Sequence, residues 1–457
     1  MKLALVSPMI DDKAVTPPLN LAVLAAYVRS AQPDLEVRIF DATVDENAYA
    51  KLSDFVPDIV GATATTPQIK ETYHLLKKMK TEFSSVFTVI GGVHASALPE
   101  EASKYADCVV VGDGEIALSN IINCVASGKP VAKIMFGSEI ENLDSLPFPA
   151  FDLLDMNQYM YRKVCSAPNL DKFPLVTLVT SRGCRHKCPF CWNSKRRTKV
   201  RYHSATYLLK EILMLQEKYR IKSIWFNDDE FLENRIRFEA FISGFKQLGL
   251  HQAISWACCS RVTSIHSGIP KLLKAAGCVC VFFGIESAAP KSLAFLKCGT
   301  VSVGDVENAV KLCYDAKLPV FGTFIFGSLN ESIVEMEQTW DWIVKHRKKG
   351  LTYANFGVLA PYPGSVLYNY ALMHNIFTQD NVEYNKISVS SSIEGNYILD
   401  KAISVADFAA FLKDKVDLVW VEVQVRERNF RGILTPTFLH TLLKHPLTMW
   451  RMSIGLW

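Results

Sequence analysis

The sequence predicts an α/β protein with a doubly wound, Rossmann-like N-terminal domain, a partial (β/α)6, TIM-like barrel and a small C-terminal helical region. Two observations support this prediction. Short, continuously apolar runs alternate with helix-like segments from residue 2 to residue 362, and such runs are typical of strands covered on both faces. In addition, a chain of 457 residues is too long for one ordinary domain and indicates two or three.

The first domain is predicted to cover residues 1–130. Its candidate strands are residues 2–7, 36–42, 58–63, 87–92 and 108–114. Parallel sheets of this kind bind ligands at the carboxyl ends of their strands. Those ends carry polar or glycine-rich stretches, namely Ser7–Pro8, Thr63–Pro67, Gly91–His94 and Gly112–Glu115. We therefore expect a ligand-binding edge in this domain.

A second series of strands and helices is predicted in residues 173–370, after a connector at 131–172. The candidate strands are residues 175–181, 223–228, 253–260, 279–286, 318–327 and 353–362. Six βα units form about three quarters of an eight-stranded barrel, and the loops after the strands form the active site of such folds. Residues 371–457 form a C-terminal region that is predicted to contact substrate or a membrane.

Composition and charge narrow the class of protein. The chain is 49% hydrophobic and 21% charged, with a net charge of +4, so nothing global indicates a nucleic-acid partner. The N-terminal residues MKLALVSPMIDD contain only a brief apolar run and predict a first strand rather than a secretory signal. No uncharged apolar stretch reaches the roughly 18–20 residues of a membrane span. We expect a cytoplasmic protein that is soluble or peripherally attached to a membrane.

Residues 429–457 form a basic tail that contains tryptophan. The tail has no acidic residue and includes Arg431, Lys444, Arg451, Trp450 and Trp457. Basic amphipathic segments with interfacial tryptophans lie on membrane surfaces, so peripheral membrane contact is one prediction. A terminal helix docked on the barrel is the other.

Most of the twelve cysteines are predicted to be buried side chains rather than disulfide partners. Large chains without an export signal usually keep their thiols reduced, and cysteine in an apolar strand behaves as a small hydrophobic residue. This interpretation covers Cys108, Cys124, Cys258, Cys259, Cys278, Cys280 and Cys313.

Three cysteines follow a different pattern. Cys184, Cys188 and Cys191 are spaced C-x3-C-x2-C directly after the first predicted barrel strand. Cysteine thiolates are the ligands of iron–sulfur clusters, and a short loop can bring three of them to three corners of a four-iron cluster. No fourth cysteine lies nearby in the sequence, so one iron could chelate the amino and carboxylate groups of S-adenosylmethionine. Structural zinc is the alternative, but zinc prefers four ligands, and His186 falls awkwardly between the first two cysteines.

This motif, with Phe190 before its last cysteine, resembles the radical S-adenosylmethionine (radical SAM) superfamily over residues 174–370. Later strand ends resemble the segments with which that superfamily binds its cofactor. The stretch FNDDEF (226–231) implies Asp228 or Asp229, with Glu230 in reserve, for the amino group. The alternatives are a helix N-terminus for the two aspartates and a solvent-exposed strand end for Glu286. The resemblance also implies Arg261 near the carboxylate or ribose, Glu286 and Ser287 at the ribose, and GTFIFG (322–327) and APYPGS (360–365) around the adenosine.

The N-terminal domain resembles the cobalamin-binding domain that precedes the radical domain in one large subfamily. The resemblance is carried by TPPLNLAVLAAYVR (16–29), PDIVGAT (57–63), GGVHAS (91–96), PEEA (99–102) and VVVGDGE (109–115). The D-x-H-x-x-G loop of classical corrinoid carriers is absent, as it generally is in that subfamily. A sheet that merely docks on the barrel is the alternative. The resemblance implies cobalamin contacts from Thr65, Gly91, Gly92, His94, Gly112, Gly114 and Glu115.

Together these resemblances imply an enzyme in which a 4Fe–4S cluster cleaves S-adenosylmethionine to a 5′-deoxyadenosyl radical. The implied reaction is cobalamin-dependent methyl transfer to an unactivated carbon. Alternatives are oxidative cyclisation or rearrangement, as in anaerobic magnesium-protoporphyrin ester cyclases, and a non-catalytic corrinoid carrier. The expected partners are reduced flavodoxin or ferredoxin as electron donor and a small-molecule or lipid-like substrate. No residue is assigned a catalytic role beyond holding these cofactors.

Overall fold

The computed structural model describes residues 1–9, 15–162, 170–194, 199–388, 396–400, 403–426 and 435–445. Within these ranges the chain forms two parallel six-stranded sheets and a small two-stranded one. The predicted α/β class, with a doubly wound sheet followed by a six-stranded partial barrel, is confirmed. The two large sheets belong to separate domains whose facing edges enclose the candidate site described below.

The first sheet has the strand order β2-β1-β3-β4-β5-β6, and all its described pairs are parallel. From β1 the chain adds β2 on one side of the sheet. It then returns to the other side of β1, where β3 to β6 follow in sequence order. Such a reversal leaves a crevice at the carboxyl ends of the two central strands, where doubly wound sheets bind their ligands. The strands are β1 (Lys2–Ser7), β2 (Glu36–Asp41), β3 (Ile59–Thr63), β4 (Phe87–Gly91), β5 (Cys108–Val111) and β6 (Ile134–Phe136).

The helices of this domain cover the sheet with periodic apolar faces. In α1, Leu21, Ala25 and Val28 are buried, a spacing that places them on one helix face. The helices are α1 (Leu19–Ala31), α2 (Ala48–Phe55), α3 (Ile69–Glu82), α4 (Val93–Ala97), α5 (Pro99–Ala102), α6 (Glu115–Ala126) and α7 (Asn157–Met160), the last lying in the connector.

The first sheet extends past residue 130, where the sequence places the domain boundary. Strand β6 pairs with Val109–Val111 of β5, inside the segment predicted to be a connector. Immediately after β6, Gly137 crosses so close to the loop after β5 that a Cβ there would lie 1.7 Å from the Asp113 carbonyl oxygen. A three-residue strand has too few residues to show a periodicity, so the sequence pattern does not reveal it.

The barrel sheet has the order β14-β13-β12-β11-β10-β7, with parallel neighbours. The predicted strand 175–181 divides into β7 and a two-residue strand, β8, which pairs antiparallel with β9. The strands are β7 (Leu175–Leu178), β8 (Ser181–Arg182), β9 (Arg201–Tyr202), β10 (Ser223–Phe226), β11 (Ser255–Ser260), β12 (Cys278–Glu286), β13 (Val320–Phe326) and β14 (Leu351–Val358).

Helices alternate with the barrel strands as the sequence predicts. Two of them begin at capping boxes, in which Ser302 pairs with Asp305 and Ser332 pairs with Glu335, so their first turns are locally determined. The helices are α8 (Ala205–Tyr219), α9 (Arg235–Gln247), α10 (Leu250–Ala253), α11 (Ile269–Ala275), α12 (Pro290–Leu296), α13 (Val303–Asp315), α14 (Ile333–His346), α15 (Val366–Met373), α16 (Val405–Arg426) and α17 (Pro436–Lys444).

The C-terminal region packs on both domains. Tyr384, Ile387 and Leu399 join the hydrophobic core of the first domain. Helix α16 docks on the barrel, where Phe411 meets the β13 residue Phe326 with ring centroids 5.1 Å apart. This region therefore holds the two domains together through apolar contacts.

The membrane prediction for residues 429–457 stays a prediction. Apart from residues 435–445, which include α17, this tail lies outside the described residues. In α17 the side chain of Leu443 is 82% exposed. Among the helices described, none has the length and apolar character needed to cross a bilayer.

The interpretation of the other cysteines is confirmed for most of them. Cys124 and Cys259 are half-buried rather than buried. The buried ones are Cys108, Cys258, Cys278, Cys280 and Cys313.

Candidate cofactor-binding site

The three predicted cluster cysteines lie on one loop at the carboxyl end of the first barrel strand. Gly183 adopts a φ of 93°, which turns the chain out of β8 in a conformation that favours glycine. The backbone N–H of Cys191 then donates to the carbonyl of Cys188 over 3.0 Å. Cys184, Cys188 and Cys191 are all half-buried. The loop therefore presents three thiols where barrels of this type bind their ligands.

The environment of these thiols suits a positively charged group. Burial raises the pKa of Cys184 to about 11, and the nearby Asp229 carboxylate contributes in the same direction. The pKa of Cys191 is raised for the same reasons. Thiolates are the metal-binding form, so bound iron ions would stabilise the thiolates that burial disfavours.

The donor set is compatible with a four-iron cluster. Among the described residues, no three histidine, cysteine or acidic side chains converge on a position for a single metal ion. A four-iron cluster does not require such convergence, because each cysteine binds its own iron.

Arg261 brings a buried positive charge to the same loop. Its Nη1 lies 4.0 Å from the Cys188 sulfur, and its side chain also donates to the Thr300 hydroxyl. The Nε of Arg261 is buried without a hydrogen-bond partner in the described structure. An orphaned guanidinium N–H beside three thiols fits a site built for anionic groups.

A fourth cysteine lies beside the cluster loop, which the sequence does not reveal. The thiol of Cys298, in the turn after α12, donates to the carbonyl of Lys187 over 3.1 Å. The prediction that no fourth cysteine lies near the motif is correct for the sequence. It is wrong for the folded chain, where Cys298 contacts the cluster loop. A thiol whose proton is donated to a carbonyl does not act as a thiolate ligand in this arrangement.

The two aspartates after β10 have different surroundings. Asp228 is buried, and its carboxylate accepts from the backbone N–H of Thr180 at 2.9 Å and from the hydroxyls of Thr180 and Ser181. Its side chain thus holds the end of β7 to the end of β10. Burial raises the pKa of Asp228 above its ordinary value.

Asp229 faces the cluster loop instead. Its carboxylate accepts from the Asn193 side-chain amide over 3.1 Å, and burial raises its pKa. The neighbouring Glu230 is bound to His186, within the loop, at 3.0 Å and to the Ser264 hydroxyl. Of these three acidic residues, Asp229 has the fewest hydrogen bonds from the described part of the protein.

Glu286 and Ser287 lie at the end of β12, where the strand pairing is irregular. Glu286 has a φ of 68°, an uncommon conformation for a residue other than glycine. Its carboxylate forms a buried ion pair with Lys297 at 2.9 Å. The Ser287 hydroxyl is buried and bonds to Thr339 over 2.9 Å. Glu286 is thus fixed by an ion pair, and Ser287 by the helix behind it.

A cavity of about 340 Å³ lies between the carboxyl edge of the first sheet and the barrel. Two residues predicted at the cobalamin site do not line it: Thr65 is exposed, and His94 is buried against Thr66. The ring of His94 instead meets Tyr384, from the C-terminal region, at 4.7 Å. The predicted residues that do line the cavity are Gly91, Gly92, Gly112, Gly114 and Glu115.

Glycine is required at one of these positions. Gly92 has a φ of 91°, and a Cβ there would lie 2.8 Å from the Thr63 hydroxyl oxygen and 3.0 Å from the Ala64 carbonyl oxygen. A side chain would clash with backbone and force a strained conformation. The bare backbone allows a flat ligand to approach the strand ends closely, which fits a corrin ring.

Ion pairs join this edge directly to the cluster loop. Arg182, two residues before Cys184, contacts Glu115 at 2.5 Å and Asp113 at 3.2 Å. Arg201 of β9 contacts Asp113 at 2.7 Å. Although burial alone would raise the pKa of Asp113, the two arginines hold it below its ordinary value. The two predicted cofactor sites are therefore mechanically linked.

Sequence reasoning missed the barrel side of this cavity. There, the rings of His203 and Tyr207 stack 4.0 Å apart, and burial lowers the pKa of His203 to about 4. Glu211 also lines the cavity, and burial raises its pKa to about 8. The remaining lining residues with polar side chains are Asn20, Thr63 and Asp113 of the first domain and Ser181 and Arg182 of β8.

Comparison with known protein families agrees with this division of the chain. Residues 9–122 match the B12 binding domain family, and residues 178–343 match the Radical SAM superfamily. The chain is 33% identical to an uncharacterized methyltransferase of Pyrococcus horikoshii, over 95% of this chain and 98% of that protein. It is also 25% identical to the anaerobic magnesium-protoporphyrin IX monomethyl ester cyclase of Rubrivivax gelatinosus, over 90% of this chain and 77% of that protein.

The fold is shared with a solved enzyme structure. The cobalamin-dependent S-adenosylmethionine radical enzyme OxsB, with aqua-cobalamin and S-adenosylmethionine bound, superposes with a TM-score of 0.74 at 17% identity. The similarity covers 99% of this chain and 71% of OxsB.

Fold and site thus define a radical SAM enzyme with an N-terminal cobalamin-binding domain. The chain belongs to the family of cobalamin-dependent radical SAM enzymes. The cofactors of this family are a 4Fe–4S cluster, S-adenosylmethionine and cobalamin, and its members require a reductant. Of the reactions considered for this chain, the comparison with the Pyrococcus horikoshii relative supports methyl transfer rather than cyclisation.

Proposed function

We propose that the protein transfers a methyl group from cobalamin to an unactivated carbon of an apolar small molecule. When bound, the cluster and S-adenosylmethionine supply a 5′-deoxyadenosyl radical, and methylcobalamin supplies the methyl group. The observation that carries the proposal is the Arg182 bridge, which joins Glu115 at the glycine-rich edge to the loop of Cys184. A radical source and a methyl source must both reach one substrate carbon, and this bridge fixes the two edges that would hold them.

The cysteine loop would hold three irons through Cys184, Cys188 and Cys191. We assign the amino group of S-adenosylmethionine to Asp229 because its carboxylate faces the loop, whereas that of Asp228 is taken up by Thr180 and Ser181. Arg261, with its unpartnered Nε, is suited to the carboxylate of the same cofactor. Glu286 and Ser287 remain the proposed ribose contacts, with Glu286 oriented by Lys297.

Replacing each aspartate by asparagine separates the two roles. We expect Asp229→Asn to weaken S-adenosylmethionine binding by about tenfold to a hundredfold with little change in melting temperature, because it removes a charge-assisted hydrogen bond. Asp228→Asn is expected to lower the melting temperature and to affect cofactor binding less, since it disturbs the contacts with Thr180 and Ser181. Equilibrium dialysis and thermal unfolding on anaerobic protein measure both. The reverse pattern would contradict the assignment.

The reaction itself is tested by following the methyl group. Protein loaded with the cluster and cobalamin is incubated anaerobically with methyl-deuterated S-adenosylmethionine. A polyprenoid, a lipid extract and magnesium-protoporphyrin monomethyl ester are tested in turn as substrates. We expect a deuterated methyl product, together with equal amounts of 5′-deoxyadenosine and S-adenosylhomocysteine, because one cofactor molecule would be the radical source and another would remethylate cobalt. A cyclised, unlabelled product would favour the cyclase reaction instead. Reduced ferredoxin or flavodoxin as donor and a cytoplasmic location complete the proposal.

A further inference from the structure

Glu211 is an acidic residue buried at an apolar position of a barrel helix. It lies on the face of α8 that also buries Leu208, Ile212 and Leu215. The residue is 5% exposed, and no hydrogen bond or ion pair reaches its carboxyl group from the described part of the protein. A buried acid without a partner is costly, so its retention calls for a ligand.

The Glu211 side chain lines the cavity between the domains rather than a closed core. The other acidic residues of the lining, Glu115 and Asp113, form ion pairs with Arg182, although Oε2 of Glu115 has no hydrogen-bond partner in the described structure. Tyr207, one turn before Glu211, donates to the Pro147 carbonyl. The greater part of the wall is aliphatic and includes Leu5, Leu24, Val89, Val110 and Leu146. Glu211 is therefore the acidic residue of this lining that forms no ion pair within the described part of the protein.

The residues that line the cavity suit a flat, largely apolar ligand group. Two stacked rings, His203 and Tyr207, line one side, and aromatic rings of this kind are platforms for heterocyclic bases. The glycine-rich carboxyl edge contributes Gly91 and Gly112 to the lining of the same cavity. The volume of about 340 Å³ is in the range of small-molecule pockets.

Resting on the proposed use of cobalamin, we propose that this cavity takes the heterocyclic base of the cobamide nucleotide tail. The protonated Glu211 carboxyl then donates a hydrogen bond to a ring nitrogen of that base. A barrel residue would in this way select which cobamide the N-terminal domain binds. Benzimidazole and purine bases carry such an acceptor nitrogen, whereas phenolic bases do not.

The protonation state of Glu211 supports this role. Because burial raises its pKa to about 8, the carboxyl is mainly protonated at neutral pH and is a hydrogen-bond donor. Other ionisable groups facing the cavity are His203, Tyr207, Arg182, Glu115 and Asp113. His203 has its pKa lowered to about 4, while burial raises the pKa of Tyr207 far above neutrality. Neither changes charge between about pH 7 and 9.

The test measures binding of three probes to the cluster-loaded, full-length protein. The probes are hydroxocobalamin, cobinamide, which lacks the tail, and p-cresolylcobamide, whose base has no ring nitrogen. The variants are Glu211→Gln, which keeps a neutral donor, and Glu211→Leu, which removes it. Thermal unfolding confirms that both variants are folded, and the Leu variant is expected to be at least as stable as wild type, since it removes a buried unpaired acid.

We expect Glu211→Leu to weaken hydroxocobalamin binding about tenfold and to leave the two control probes within about twofold, as loss of one hydrogen bond implies. Wild-type affinity for hydroxocobalamin should fall as pH rises through about 8, because deprotonation removes the donor. Glu211→Gln should keep the neutral-pH affinity and lose this pH dependence.

Equal binding of hydroxocobalamin by wild type and Glu211→Leu, or an equal loss for all three probes, would overturn the inference while leaving cobalamin use intact. If wild-type protein bound neither hydroxocobalamin nor cobinamide, the proposed function would fail, and the inference with it.

Discussion

Replacing any one of Cys184, Cys188 and Cys191 by alanine is expected to abolish product formation and 5′-deoxyadenosine release. The reason is that the three thiols share one loop, and two cysteines cannot retain a cluster that three hold. Because radical generation provides the whole rate enhancement, we expect a loss of more than about a thousandfold. Iron and sulfide content, the absorption spectrum and 5′-deoxyadenosine release measure the effect on anaerobically reconstituted protein.

The matched control is Cys298→Ala, which removes the thiol that donates to Lys187 beside the same loop. This variant should reconstitute with wild-type iron content and cleave S-adenosylmethionine within about threefold of wild type, since it loses one weak hydrogen bond. A cluster that survives loss of a motif cysteine but not of Cys298 would mean that the ligands have been misassigned.

Removing the positive charge of Lys297 is expected to cause the largest loss of stability among single substitutions near the site. Lys297 and Glu286 form an ion pair at 2.9 Å, with side chains only 6% and 10% exposed. Lys297→Met leaves the Glu286 carboxylate buried without its partner, which costs about 3–5 kcal/mol of unfolding free energy. Chemical denaturation under anaerobic conditions measures the change. The double variant Lys297→Met with Glu286→Gln should recover part of the loss, because the buried charge is gone.

An exposed ion pair provides the comparison. Lys311 and Asp315 contact each other at 2.6 Å on α13, but their side chains are 71% and 49% exposed. Lys311→Met should change the unfolding free energy by no more than about 0.5 kcal/mol. Similar effects for the two lysines would refute the view that burial makes the Lys297 pair important, and with it the idea that this pair orients Glu286.

The features that the sequence predicts well are those carried by local patterns. The alternation of strand-like and helix-like segments predicts the two sheets, because each strand-like segment is apolar and ends in a turn residue. The cysteine spacing singles out the loop of Cys184, Cys188 and Cys191 within a dozen residues of sequence, and their role as cluster ligands stays a prediction. Gly92 belongs to the same class, since its φ of 91° is a local backbone requirement.

Features that depend on chain crossing are not visible in such patterns. Cys298 reaches the cluster loop only because α12 and the cysteine loop meet in the barrel. Asp228 and Asp229 are neighbours in sequence but have different surroundings. Asp228 accepts a hydrogen bond from Thr180, whereas Asp229 faces the cysteines. The His94 ring does not reach the predicted ligand edge, because it packs between Thr66 and Tyr384.

Glu211 is an intermediate case. Its position between Leu208 and Leu215 on the buried face of α8 is a conflict between charge and helical periodicity that can be read from the sequence. The sequence does not indicate the cavity that this helix face lines, because that cavity forms where the first domain meets the barrel.

The proposed radical chemistry requires that one iron of the cluster has no ligand from the protein. Electron–nuclear double resonance on the reduced enzyme, with S-adenosylmethionine labelled by 15N in its amino group and 17O in its carboxylate, tests this directly. We predict hyperfine coupling from both labels, in wild type and equally in Cys298→Ala. Absence of coupling in wild type, with its appearance only after Cys298 is removed, would show that a protein thiol occupies that iron and would contradict the central claim.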